Sequence, residues 1–228
     1  MRVRLGWDVL GSVPGDPFVQ RDGRTLDASM FNYPATGAVQ MAHKTRQQRK
    51  TAGVSRKASE TRYNDRRLHP TKNDLPEATR IEVVDLLNQR LASCIDLQTQ
   101  CKQAHWNVKG ATFIALHKLF DEINGAVEEY VDLIAERVVQ LGGVAEGTIG
   151  IVAERSTLID YPLALTTGFE HAAALSDALS EFGRSARIGI EEMNDLTDAG
   201  SADILTEISR GIDQWLWFVE AHLEGSTT

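Results

Sequence analysis

The stretch from His105 to Gly143 reads HWNVKGATFIALHKLFDEINGAVEEYVDLIAERVVQLGG. Apolar residues recur in it at helical spacing and stop at a Gly-Gly pair, which predicts one long helix from about Thr112 to Leu141. This helix carries four side chains of types that bind metal ions: His117, Asp121, Asp132 and Glu136. At 100° per residue the four fall within about 100° of arc, so they form one stripe along the helix.

The stripe is too long for one copy of the helix to close it around an ion. His117 and Asp132 are 15 residues apart, which is roughly 22 Å along the axis. If a second copy packs antiparallel across a two-fold axis, the His117 end of one chain lies opposite the Glu136 end of the other. The spacing therefore predicts a metal site shared between two subunits. The alternative is an ordinary solvated helix face.

The rest of the chain predicts three more long helices and no strand. Capping residues and a Pro in the first turn, Pro76, predict the start of the first helix. Apolar residues at helical spacing predict that it continues from there. A long connection with a short turn at 149–155 separates the second helix from the third. The four helices are expected over about 73–105, 112–141, 166–197 and 202–224, with Gly200-Ser201 breaking the last two apart. This pattern predicts an up-and-down four-helix bundle.

Charge divides the chain into a basic segment and an acidic body. Residues 41–72 contain ten Lys or Arg and two acids, whereas residues 73–228 contain ten Lys or Arg and twenty-six acids. We expect a bundle over 74–224, a basic, mostly disordered tail over 41–73 and a short C-terminal tail over 225–228. Residues 1–40 are an extension of uncertain origin, expected to be disordered, and Met41 is an alternative start.

Two sequence features indicate the cellular compartment in which the protein is expected. Cys94 and Cys101 share a helix face but stand roughly 10 Å apart along the axis, beyond disulfide reach. We therefore expect reduced, buried thiols, as in a cytosolic protein. No apolar run approaches the length of a membrane span, so we predict a protein without a membrane partner.

The residue types around the stripe limit which metal ions and which kind of metal site are expected. His105 adds a second imidazole just before the helix. Glu-x-x-His, the motif of di-iron cages inside a single bundle, is missing from the chain, which favours the shared site. Imidazole and carboxylate ligands suit iron, manganese or zinc, and without thiolates a closed structural zinc site is disfavoured.

Three separated blocks resemble the Dps family, the DNA-protecting mini-ferritins of starved bacteria. The first block is KQAHWNVKG with FIALHKLFDEI and DLIAERVVQLGG, the second is Asp160-Tyr161-Pro162, and the third is SADILTEISRGIDQWLWFVEAHLE. The resemblance covers about residues 74–224. It implies an all-α, ferritin-like four-helix bundle with a long connection carrying a short helix between helices 2 and 3, assembled as a hollow dodecamer.

The resemblance also implies a ferroxidase and iron store. Fe(II) would be oxidised by hydrogen peroxide, or by oxygen, at inter-subunit di-iron sites, and stored as ferric oxide. Iron, as Fe(II) and Fe(III), is the implied metal, although a zinc- or manganese-preferring relative stays open. By motif match, the ligands from one subunit would be His105, His117 and Asp121, and those from its partner Asp132 and Glu136.

Three further residues receive roles from their position or from the resemblance. Trp106, next to His105, is expected to donate an electron and quench a radical intermediate, the alternative being a packing aromatic at the helix end. Asp203 and Asp213 resemble the acids that line iron-entry pores in the family. For these two acids the alternative is a solvated helix face.

The basic tail predicts non-specific binding of double-stranded DNA. Its cations can neutralise phosphates without reading bases, and similar termini in the Dps family are associated with DNA condensation. The residues are Lys44, Arg46, Arg49, Lys50, Arg56, Lys57, Arg62, Arg66 and Arg67. The alternative is an arm that lies on the acidic body. We expect a cytoplasmic, nucleoid-associated protein, and the alternative function is a structural nucleoid-binding protein in which metal plays a minor part.

Overall fold

The computed structural model describes residues 68–224, and the ordered elements in that range are all helices. They are α1 (Glu77–Asn107), α2 (Phe113–Gln140), α3 (Ile149–Arg155), α4 (Gly168–Asp195) and α5 (Ala199–Glu220). The prediction of an all-α bundle with four long helices and a short helix in the long connection is confirmed. The predicted segments 1–40 and 225–228, and most of the predicted tail, lie outside the described residues.

The core forms where the apolar stripes of the long helices meet. On α2 the buried side chains recur at helical spacing: Leu116, Phe120, Ile123, Val127, Ile134 and Val138. Helix α1 packs along α2, α4 packs along α5, and α1 also contacts α4, which joins the two pairs. Phe120 and Phe182 are completely buried, and each such burial stabilises the fold by about 1.5–3 kcal/mol. His117, one residue after Leu116, is rotated by about 100° from this core stripe.

The chain before α1 is attached to the end of α2. The His69 N–H donates to the Gly142 carbonyl over 2.8 Å, and Arg80 Nη1 donates to the Leu141 carbonyl over 3.0 Å. Gly142 has a φ of 86°, and a Cβ there would lie 2.5 Å from the His69 oxygen. Both the left-handed backbone and the close approach require glycine at this position. The predicted Gly-Gly stop of the second helix is thus confirmed.

The predicted break at Gly200-Ser201 is wrong, because both residues lie in the first turn of α5. The chain breaks at residues 196–198 instead, where Thr197 has a φ of 61°. Asp198 caps the helix by accepting from the Ser201 N–H over 3.1 Å, and Arg137 of α2 donates to the same carboxylate oxygen over 2.7 Å. The far end also differs from the prediction, since α5 ends at Glu220 and residues 221–224 form turns.

Both cysteines lie in the core of α1. They are free and buried, as the spacing predicted, and the Cys94 thiol donates to the Val127 carbonyl of α2 over 3.8 Å. Burial is the main cause that raises the pKa of both thiols, to about 12 for Cys101. The two side chains therefore act as small apolar groups in the bundle.

The surface carries large apolar side chains at several separate places. The most exposed are Ile149, Leu163, Trp106 and Trp217. Trp215, by contrast, packs against the core, so of these two neighbouring tryptophans one lies against the bundle and the other faces outward. Among residues 68–224, no helix is long and apolar enough to cross a membrane.

Candidate metal centre

The turn between α1 and α2 brings two predicted ligands into contact. His105 lies near the end of α1 and His117 near the start of α2, and between them Gly110 adopts a φ of 105°. The two imidazole rings stack with centroids 3.8 Å apart and planes inclined by 20°. Phe113 lies against the outer side of the His117 ring, with centroids 5.0 Å apart. Residues twelve apart in sequence thus form one pair.

Each imidazole is oriented by the backbone of the other histidine. His105 Nδ1 donates to the His117 carbonyl over 2.8 Å, and His117 Nδ1 donates to the His105 carbonyl over 2.9 Å. Because a carbonyl oxygen only accepts, each Nδ1 must carry the hydrogen. In the neutral rings the lone pair is therefore on Nε2. Metal-binding histidines are oriented in this way by a hydrogen bond from the ring nitrogen that does not bind the metal.

Asp121 lies beside the histidine pair and is held by a lysine. Its Oδ1 is 3.9 Å from His105 Nδ1 and accepts from Lys102 Nζ over 2.6 Å. The Lys102 ammonium is the main cause that lowers the pKa of the Asp121 carboxyl, so the group is ionised near neutral pH. Lys102 was missed by the sequence reasoning. Its position three residues before His105, on the same side of α1, is the signal that could have found it.

The other two predicted ligands lie further along α2. Asp132 and Glu136 are exposed, and Asp132 is eleven residues beyond Asp121, about 16 Å along the axis. The structure therefore does not bring these acids to the histidine pair within one chain. In the described part of the chain, no group of three or more His, Cys, Asp or Glu side chains is placed to hold a metal ion. The five-ligand set across two subunits stays a prediction.

An open groove of about 660 Å³ runs beside Lys102 and past the end of α1. Trp106, Asn124 and Tyr161 are among its lining residues. Trp106 is 67% exposed, so its indole lies at the surface and not in the core. The indole is thereby accessible to oxidants that reach the groove.

Similarity to known proteins agrees with this architecture. A family model described as a ferritin-like domain matches residues 84–226. A DNA protection during starvation protein from Agrobacterium fabrum is 43% identical over 156 residues, which are 68% of this chain and 96% of the relative. The chain belongs to the Dps family.

Solved Dps structures have the same fold. A Dps structure from Mycobacterium smegmatis aligns with a TM-score of 0.66 and 34% identity, covering 70% of this chain and 96% of that chain. DpsC from Streptomyces coelicolor aligns with a TM-score of 0.67 and 31% identity, covering 71% and 94%. The resemblance read from three sequence blocks is thus confirmed over the whole bundle.

The remaining predicted sites of this Dps chain are untested. Asp203 is exposed near the start of α5, and Asp213 accepts from Arg187 Nη1 of α4 over 2.9 Å, so the second acid already has a cationic partner. Their role at an iron-entry pore stays a prediction. The nine predicted DNA-binding cations, Lys44 to Arg67, lie outside the described residues.

Proposed function

We propose that this Dps-family protein is a ferroxidase and iron store. It oxidises Fe(II) with hydrogen peroxide, or with oxygen, at sites shared between two subunits of a hollow dodecamer, and holds ferric oxide inside. Family membership supports an iron-storage and DNA-protection role of the Dps type. The finer proposal rests on one observation, the pair His105 and His117 with both Nδ1 atoms tied to backbone and Asp121 beside them.

Fe(II) is the substrate of this centre. Two imidazole nitrogens and a carboxylate oxygen are donors suited to iron, and carboxylates favour the ferric product. The partner subunit's acids at positions 132 and 136 would complete the site across the two-fold axis. Two Fe(II) ions each lose one electron, and one peroxide takes both electrons and two protons to give two water molecules. The mixed donor set from this subunit is small, which leaves coordination positions for the oxidant.

One property of the described body supports iron supply. Residues 73–228 carry a large excess of acids, and such a field draws divalent cations toward the protein. Within this proposal Asp203 and Asp213 guide Fe(II) to the interior.

The decisive experiment removes the centre without touching the bundle core. In the double variant His117→Ala/Asp121→Ala, rapid peroxide-driven oxidation of anaerobically added Fe(II) should be lost when it is followed by absorbance. A matched control, Asp177→Ala/His222→Ala, removes the same residue types at exposed positions outside the centre and should oxidise iron normally. Particle size is measured in parallel. Unchanged kinetics in an assembled double variant would refute the site assignment.

We also propose that the basic tail binds double-stranded DNA non-specifically. Many tails on one particle would bind one DNA molecule together, which strengthens weak individual contacts. A purely structural nucleoid role is the second candidate, and the charge division between tail and body is the observation that favours it. The double variant separates the two, because a structural role predicts normal DNA protection without rapid iron oxidation.

A further inference from the structure

A half-buried tyrosine at the groove and a buried histidine form a hydrogen-bonded pair. Tyr161 lies in the long connection before α4, and His171 is the fourth residue of α4. The Tyr161 hydroxyl and His171 Nδ1 are 2.6 Å apart, and the two rings are nearly parallel, with an interplanar angle of 15°. His171 is only 2% exposed. Neither residue has a role in the ferroxidase centre described above.

The direction of this hydrogen bond follows from the surroundings. Burial lowers the pKa of His171 and raises the pKa of Tyr161, with the nearby Cys101 as a second cause. The imidazole is therefore neutral and the phenol protonated at neutral pH, so the phenol donates and Nδ1 accepts. A neutral imidazole that accepts at Nδ1 carries its hydrogen on Nε2. The pair is therefore a phenol that donates its hydrogen bond to a neutral base.

We propose that Tyr161 and His171 form a proton-coupled one-electron donor that protects the protein from strong oxidants. The phenol gives one electron to a one-electron oxidant, and its proton moves along the existing hydrogen bond to Nδ1. The Tyr161 O–H bond breaks, an N–H bond forms on His171, and a neutral phenoxyl radical faces an imidazolium. A later electron from Fe(II) reduces the radical, and His171 returns the proton.

The oxidant is of the hydroxyl radical class. One Fe(II) that reacts alone with one peroxide gives Fe(III), hydroxide and a hydroxyl radical. The radical takes the electron from Tyr161 and becomes hydroxide, and the second Fe(II) restores the tyrosine. The sum is two Fe(II) oxidised for each peroxide, as in the paired reaction. This use of the pair rests on the proposed ferroxidase function, whereas the donor chemistry itself does not.

Because the pair is partly shielded from water, Tyr161 can be oxidised readily only if its proton is transferred as the electron leaves. Oxidation of a phenol that keeps its proton leaves a positive charge in a poorly solvated place, which is costly. A base already within hydrogen-bonding distance removes that charge as the electron leaves. Two groups around His171 favour its protonated form: the backbone of Asn107 and the carboxylate of Glu170. His171 Nε2 is not the nitrogen that faces Tyr161, so the Nδ1 atom stays available to the phenol.

Position connects the pair with the iron chemistry. Tyr161 and Trp106 line the same groove, and Trp106 follows His105, the predicted ligand. Tyr130 provides the contrast within the chain. Its hydroxyl is also partly buried, but its hydrogen-bond partner is Trp215, an indole that can only donate. Among residues 68–224, no imidazole is hydrogen-bonded to Tyr130 in the way that His171 is to Tyr161.

The first experiment uses the full-length protein without iron and a flash-generated ruthenium(III) complex as the oxidant. A phenoxyl radical should be seen by transient absorbance, and its formation should be slower in deuterated water. Tyr161→Phe should lose this radical and Tyr130→Phe should keep it. His171→Gln, which can accept a hydrogen bond but not a proton, should slow its formation by about a hundredfold, the lower range for a positioned proton acceptor.

The second experiment adds Fe(II) and peroxide and detects the radical by freeze-quench electron paramagnetic resonance. A Tyr161-dependent signal under both oxidants supports the pair and its use in iron chemistry. A signal with ruthenium alone supports the donor pair and contradicts its use in iron chemistry; failure of the ferroxidase function itself is seen separately, as unchanged iron oxidation in the His117→Ala/Asp121→Ala variant. If the ruthenium radical is unaffected by Tyr161→Phe, or forms without a solvent isotope effect in the unmodified protein, the donor pair is refuted, whether or not the variants fold.

Discussion

The two imidazoles of the metal centre differ from its carboxylate in how they are held. His105 and His117 are each fixed by a backbone carbonyl, and backbone at the α1–α2 turn moves little when a surface side chain moves. Asp121 instead accepts a hydrogen bond from the Lys102 side chain, and both side chains are partly exposed, at 52% and 32%. A metal ion would find the nitrogens in place and would compete with an ammonium for the oxygen. The lysine is thus a competitor for the same carboxylate.

Replacing that competitor should strengthen metal binding. In Lys102→Met, Asp121 no longer has a cationic partner, and the affinity for a redox-silent probe such as Zn(II) should rise. Exposed ion pairs contribute about 0.2–1 kcal/mol, so we expect an increase of up to about fivefold. Calorimetric titration of the assembled protein measures it, with Lys118→Met on the exposed side of α2 as the control. Equal or weaker binding in Lys102→Met would contradict the competition.

Helix α4 begins at a capping box formed by Thr167 and Glu170. The Thr167 hydroxyl accepts from the Glu170 N–H over 3.2 Å, and the Glu170 carboxylate accepts from the N–H groups of Thr166 and Thr167, each over 2.9 Å. These hydrogen bonds favour the ionised carboxylate and lower the pKa of Glu170 to about 2. The connection that carries Tyr161 ends at this cap. Thr167 lies one helical turn before His171.

The lowered pKa gives the cap a defined pH dependence. A carboxyl whose pKa is lower in the folded protein stabilises it above the unfolded value, and this stability is lost as pH falls toward the folded value. Glu170→Gln keeps the capping geometry but removes the charge. Its thermal midpoint by circular dichroism should be below that of the unmodified protein at pH 6, and the difference should vanish near pH 2. Glu191→Gln is the control, and a pH-independent difference would contradict the assignment.

The four-helix bundle could be predicted from the sequence because the signals for each helix lie within that helix. The apolar rhythm of α2 and the stop at Gly142 need no knowledge of the partner helices. The start of α5 was misplaced because the Gly200-Ser201 pair was taken as the break, although Asp198, an N-cap residue type three residues before Ser201, is itself a local signal. Lys102 with Asp121, and Tyr161 with His171, were missed because each pair joins two separate elements. Pairs that form between elements leave no periodic signal in the chain.

At the scale of the whole molecule, charge is separated along the sequence. The acidic body repels a polyanion, while the nine cations from Lys44 to Arg67 attract it. Each phosphate neutralised by the tail releases a condensed counterion, so the affinity must depend on salt. The body provides no compensating attraction.

The salt dependence of DNA binding therefore reports on the tail. With six to ten phosphate contacts, the affinity of the full chain should fall by about 10³ to 10⁵ between 50 and 200 mM salt. A full-length variant with the nine cations changed to Gln should bind weakly at low salt and show a flat dependence. Fluorescence anisotropy with duplex DNA measures both, and the iron oxidation rate serves as the folding control. Equal binding by the two proteins would exclude the tail as the DNA-binding element.

The burial of Cys94 and Cys101 has a consequence for how peroxide is consumed. Of the two forms of a cysteine side chain, the thiolate is the one that reacts with peroxide. Burial raises the pKa of both thiols far above neutral pH, so both stay protonated at pH 7. The core thiols therefore do not draw on the peroxide that reaches the particle. Peroxide lost in solution can be counted against ferric iron formed, and a shortfall of ferric iron points to oxidation of side chains other than these two thiols.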